Sequence, residues 1–280
     1  MSFQTWLNRD QLLPRLAFAF RRFRRGSASS TRWWPVLVAL AAALPYLTTW
    51  LDPQRIWLAL IFMAALAVLV AWLQWVGREH IGSWLASYGV LVISWGGWFF
   101  LWLFIEQSWH RLLVVVAVAG LSWWYLDEWR RRQQLIGLGA DTLQGTPALV
   151  LGFVATFGLG VGAESLLVFL NTPLWKLAAT TYLPMALCFA ATMVLSGWSL
   201  VRHAQSLLLA VVVLGQVFVL ATWWPTSAYV VGFTMAVTYL ALALTLRQEA
   251  QGFISRRSFA RELSALSLLT ALVLGSARWY

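Results

Sequence analysis

The chain has 280 residues, of which 61% are hydrophobic and only 11% charged, against roughly 25% charged in an ordinary soluble domain. No soluble surface can be built from that composition. The net charge of +10 comes with no soluble domain to present it, so a nucleic-acid binder is disfavoured and a polytopic all-α membrane protein is predicted.

In chain order, residues 1–32 read as a cytoplasmic basic amphipathic segment. Leu12, Leu13, Leu16, Phe20 and Phe23 share one face, with Arg15, Arg22 and Arg25 elsewhere. A helix lying on an anionic cytoplasmic leaflet follows, with Arg21, Arg22, Arg24 and Arg25 as its membrane-surface residues. No cleavable signal peptide is expected, because the first apolar run starts late and lacks a small-residue cleavage site.

The membrane domain, 33–245, divides into eight predicted spans at about 33–50, 56–76, 82–105, 112–126, 147–170, 177–201, 206–223 and 229–245. Many of the 20 tryptophans fall at the ends of these runs, where the indole suits the headgroup level. The outer connections are short, giving four helical hairpins. The longest inner connection, "DEWRRRQQLIGLGADTLQGTP", separates the halves 33–126 and 147–245 and reads as their hinge. Residues 246–280 form a second basic amphipathic segment with a short apolar tail, Ser264 to Leu274, a candidate ninth span.

Basic residues are distributed by side. Arg9, Arg15, Arg21, Arg22, Arg24, Arg25, Arg32, Arg78, Arg130, Arg131, Arg132, Arg202, Arg247, Arg256, Arg257 and Arg261 fall on one set of connections. Arg55, Arg111, Lys176 and Arg278 fall on the other. The positive-inside rule then places the N-terminus in the cytoplasm of a cell membrane of the bacterial inner-membrane type.

Chemistry-bearing motifs are sparse. The lone Cys188 excludes an intrachain disulfide, and His80, His110 and His203 divide between the two sides, so neither metal nor cofactor is expected. The stretch "DEWRRR", Asp127 to Arg132, resembles the first motif of the CAAX-type intramembrane proteases, a resemblance that implies an intramembrane hydrolase. That family has Glu-Glu there, inside an apolar helix, and later helical histidines. Here Asp127 is read as opening a basic loop, so the favoured reading is a span end with acids beside anchoring arginines. "SWGGWFFLW", Ser94 to Trp102, resembles the tryptophan-rich segment of haem-handling membrane proteins without that segment's aspartate and flanking histidines. It is read as helix packing through Gly96 and Gly97. No catalytic residue is assigned, and the sequence leans away from an enzyme.

One carboxylate lies within a span. In "FGLGVGAES", Glu164 sits six residues before the outer end of the fifth span, about 9 Å deep. Gly158 and Gly162 form a small-residue packing face, whereas Gly160 and Glu164 share another. Tyr182, Gln216 and Thr234 lie at similar depth and complete a candidate intramembrane polar site, with Tyr46, Thr48 and Thr49 nearby. With no cation at that level, an uncharged glutamic acid hydrogen-bonded to one of them is the expected ground state. The leading functional reading is a non-enzymatic membrane scaffold or accessory subunit contacting lipid or a membrane-protein partner. The alternatives are a small-molecule or lipid transporter using Glu164 as a protonatable or ligand-binding group, and the hydrolase.

Overall fold

The computed structural model describes residues 33–75, 81–135, 145–198, 203–223, 226–251 and 264. The N-terminal segment with Arg21, Arg22, Arg24 and Arg25 lies outside the described residues, as does the candidate ninth span, Ser264 apart. The described residues fold into an all-helical bundle: α1 (Trp34–Leu51), α2 (Ile56–Trp75), α3 (Ile81–Leu103), α4 (Ser108–Leu135), α5 (Gly145–Leu170), α6 (Leu174–Leu195), α7 (Ala204–Thr222) and α8 (Ala228–Gln251). Six of these, α3 to α8, are long and apolar enough to cross a membrane, and α1 and α2 add shorter apolar stretches. Leu208, Leu209 and Leu220 on α7, and Trp57, Ile61 and Val68 on α2, all point outward. Such a belt does not face water, and the protein is a multi-pass membrane protein.

Short turns close the hairpins, each with its own local chemistry. Between α1 and α2, Asp52 accepts from the Gln54 N–H at 3.0 Å and from Arg55 Nε at 2.9 Å, fixing a 3-10 turn over Pro53–Arg55. After α5, Asn171 takes the left-handed region at φ 46° and Pro173 starts α6.

Three helix ends differ from the sequence reading. The fourth span continues past Leu126 to Leu135, so Asp127 sits on a helix rather than opening a loop. Its two carboxylate oxygens meet Arg130 Nη2 at 2.5 Å and Arg131 Nε at 2.7 Å, the i+3 and i+4 neighbours that only a continuing helix brings together. The sixth span stops at Leu195, short of 201, because Gly197 adopts φ +90°. The Trp198 N–H then returns to Met193 O at 3.1 Å and the Gly197 N–H to Val194 O at 3.1 Å, a glycine C-terminal cap. The eighth span runs beyond 245 to Gln251.

Two buried apolar clusters form the interior. One joins α1 to α4 with Ala148, Leu151, Ala155 and Val161 of α5, and the other gathers α5 to α8. Helix α5 therefore belongs to both, with α3 on one side and α8 on the other.

Candidate functional site

The small residues of α5 set how near its neighbours come. A Cβ built on Gly97 of α3 would fall 2.5 Å from Ala155 O, and one built on Gly158 would collide with Gly97 O. One built on Gly162 would lie 2.8 Å from the ring of Phe100. Gly158 and Gly162 thus press against α3. On the other side, a Cβ on Gly160 would come 2.7 Å from Gly232 Cα, and Gly152 lies under the hydroxyl of Tyr239, both on α8. Backbone meets backbone on two faces, as expected where small residues supply the association of membrane helices. The neighbouring Gly96 has nothing within 4 Å of its Cβ position and takes no part.

Glu164 lies one turn beyond Gly160, and Ala228 one turn before Gly232. The antiparallel pair therefore carries the carboxyl to the level of the first residue of α8. Glu164 is only 6% exposed, and its Oε2 has no hydrogen-bond partner. Among the described residues no cation pairs with it. More than two turns deeper on the same helix, about 12 Å, the Thr156 hydroxyl is also buried and unpartnered.

The residues expected around Glu164 bond elsewhere. Tyr182 turns toward α7, where its hydroxyl donates to Val211 O at 2.7 Å and its ring lies over Gly215. A π turn over Ala178–Tyr182 precedes Pro184, and its wider bonding, with the Leu183 N–H on Ala178 O, makes room for the proline ring. The Thr234 hydroxyl donates to Val230 O of its own helix at 2.8 Å. It lies two residues deeper than Gly232, well below the Glu164 level. Gln216 is exposed on the outside of the bundle. Counted from each span's outer end these residues lie at similar depth, but the faces differ, and for Thr234 the level against Glu164 differs too. Leu214 and Phe218 hold the buried stripe of α7, and Gln216, two residues from either, is turned about 200° away at 100° per residue.

Tyr46, Thr48 and Thr49 also serve other contacts. Tyr46 is fully buried and donates to Trp95 O at 2.9 Å, while both threonine hydroxyls donate to the carbonyl of Pro45, each at 2.9 Å. Further buried bonds tie the bundle together, from Trp95 Nε1 to Ser122 Oγ at 2.9 Å and from the Tyr239 hydroxyl to Thr192 Oγ1 at 2.7 Å. Glu164 is thus the unpartnered carboxyl among several unpartnered buried groups, Thr156 included, in an interior that ties down Tyr46, Tyr182 and Tyr239. Among the described residues no hydrogen-bonding nucleophile or base reaches its Oε2, so its chemistry is that of a single carboxyl. Among the described residues no three His, Cys, Asp or Glu side chains converge on a metal position.

No protein-family model, no curated protein and no solved structure matches this chain.

Proposed function

We propose that the protein is a non-enzymatic scaffold or accessory subunit of a membrane assembly, that it receives a partner's transmembrane helix along the outward face of α7, and that its N-terminus lies in the cytoplasm. Gln216 carries the reading. It is exposed six residues before the end of α7 at Thr222, about 9 Å into the apolar layer. There no water satisfies its amide, and an unpaired amide in an apolar medium costs roughly 2–7 kcal/mol. Leu209, Val212, Val219 and Leu220 flank it on the outward side at helical spacing. A helix bringing a hydrogen-bonding side chain to that depth would satisfy the amide and cover the row. The orientation rests on the arginine distribution, and the remaining apolar belt contacts lipid.

The test isolates the full-length chain in mild detergent from membranes expressing it at native level and compares wild type, Gln216→Leu and Gln216→Asn. The expected result is a stoichiometric companion that Gln216→Leu loses and Gln216→Asn keeps in part. A companion kept in full by Gln216→Leu, or none in the wild type, overturns the reading.

The buried, unpartnered Oε2 of Glu164 favours a second reading, transport of a proton or polar solute. Against it stands the Gly97–Ala155–Gly158 seam, which joins the two halves of the chain by backbone contact. Alternating access between those halves would have to part it. A proton-dependent flux in proteoliposomes that Glu164→Gln abolishes would replace the scaffold reading with this one.

A further inference from the structure

The outward side of α7 carries a regular seam. Gln205, Leu209, Val212, Gln216, Val219 and Trp223 are all exposed, and the steps between them alternate between four residues and three. That is the 3.5-residue repeat that keeps one line of a helix against a partner helix along its whole length. At 100° per residue the seam is centred about 180° from the buried Ala210, Leu214 and Phe218, so it points straight away from the bundle.

Exposure alone does not mark this face. Trp57, Ile61, Val68 and Trp72 make the outward side of α2 equally open, yet from Ile56 to Leu73 that helix has no amide or hydroxyl side chain. Lipid chains suffice for such a face. On α7, Gln205 lies in the first turn and Gln216 within the apolar layer, and among the described residues the Gln216 amide has no partner.

A carboxamide donates through its N–H groups and accepts through its C=O, so two carboxamides at one level can each donate to the other. Copies of one chain inserted the same way round hold Gln216 at the same depth. A two-fold axis along the membrane normal then brings two α7 seams together in register, with residue 216 facing residue 216. A single polar residue at such a seam position is what fixes register and pairing in parallel helix pairs. We propose, on the α7 reading above, that the helix received there is the α7 of a second copy of this chain, the two running parallel with Gln216 bonded to Gln216. The companion is then the chain itself, seen through a second tag rather than as a foreign band.

The test uses the full-length chain in membranes. Single cysteines replace Leu209, Val212 or Val219 on the seam, and Val211 or Val217 beside it, and the membranes are oxidised. Cys188 is fully buried and stays as the background. Disulfide-linked dimers are expected at Leu209→Cys, Val212→Cys and Val219→Cys, and few or none at Val211→Cys and Val217→Cys. Self-association is then followed by Förster transfer between two labelled populations in phosphatidylcholine liposomes as added lipid dilutes them. Gln216→Leu, an exchange on the exposed face, is expected to weaken it about tenfold, and Gln216→Asn, which keeps an amide, by less. Dimers formed as readily beside the seam as on it, or self-association unchanged by Gln216→Leu, overturn the pairing. No self-association, with a foreign companion that Gln216→Leu releases, overturns the second copy and leaves the α7 reading standing. Neither self-association nor a companion overturns both.

Discussion

Helices α5 and α7 are both strongly apolar, with mean hydropathy 1.9 and 2.2, yet 56% of the 18-residue apolar stretch of α5 is buried inside the bundle and only 22% of that of α7. The more hydrophobic helix is the more exposed one. In water that order would be perverse, but lipid chains are as apolar as leucine, so hydropathy sets how deep a residue sits and says little about whether it faces protein. Side-chain size makes the difference. Helix α5 offers Gly152, Ala155, Gly158, Gly160 and Gly162 to its neighbours, while α7 turns Leu208, Leu209, Val212, Val219 and Leu220 outward.

The sharpest way to break the comparison is to add one methyl group to the close face. Gly158→Ala or Gly97→Ala places a Cβ against the backbone of the opposing helix, where nothing flexible can give way. Either is expected to cost about 1–3 kcal/mol through overpacking. Gly96→Ala, next in sequence to Gly97 but with open space at its Cβ position, is expected to be neutral or to stabilise by up to about 1 kcal/mol, since alanine is the better helix former. Unfolding midpoints in detergent check this. Equal effects at Gly96 and Gly97 would show that the α3–α5 seam is not a backbone contact.

Next in size is the carboxyl at the outer end of the same helix. Glu164→Lys puts a cation into a nearly closed position inside the apolar layer, and a loss of monodisperse folded protein is expected on size-exclusion chromatography. Glu164→Gln keeps the shape and a hydrogen-bonding group, and because no bond to Oε2 is lost, stability within about 0.5 kcal/mol of wild type is expected. A larger loss for the amide would mean that the carboxyl holds the bundle through a bond of its own.

The sequence makes depth legible and leaves rotation mostly hidden. The eight helices of the described residues can be read from the apolar runs alone, and the i, i+4 spacing of Gly158 and Gly162 puts them on one face, which the structure sets against Gly97 and Phe100. A polar layer around Glu164 drawn from depth alone leaves out the helical face. Gln216 shares the depth of the layer but lies opposite the buried Leu214 and Phe218, so it points away. Tyr182 and Thr234 find carbonyls on α7 and within α8 instead. Two helix ends carried signals that hydropathy masks. Asp127 with Arg130 and Arg131 has the i+3 and i+4 spacing of a helix that continues, and Ser196-Gly197-Trp198 has the glycine of a helix that stops. The pairing of Gly160 with Gly232 has no local signal, because it joins residues on two separate helices whose register comes from packing.

The smallest expected effect is on the exposed side of α7, and it tests the rule behind the comparison. Leu214 is fully buried and Leu209, on the same helix, is 66% exposed. Leu214→Ala removes packed atoms and leaves a cavity among neighbours that include Phe218, so a loss of about 2 kcal/mol or more is expected. Leu209→Ala exchanges contacts with lipid or detergent chains for other contacts of the same kind, and the isolated chain should change by no more than about 0.5 kcal/mol. Both variants keep the helix, since alanine and leucine have nearly the same propensity, which leaves packing as the difference between them. Denaturant unfolding in one detergent gives the two values side by side. Comparable losses at the two positions would show that Leu209 packs against protein in the isolated chain, and the outward face of α7 would then no longer be free to receive a partner helix.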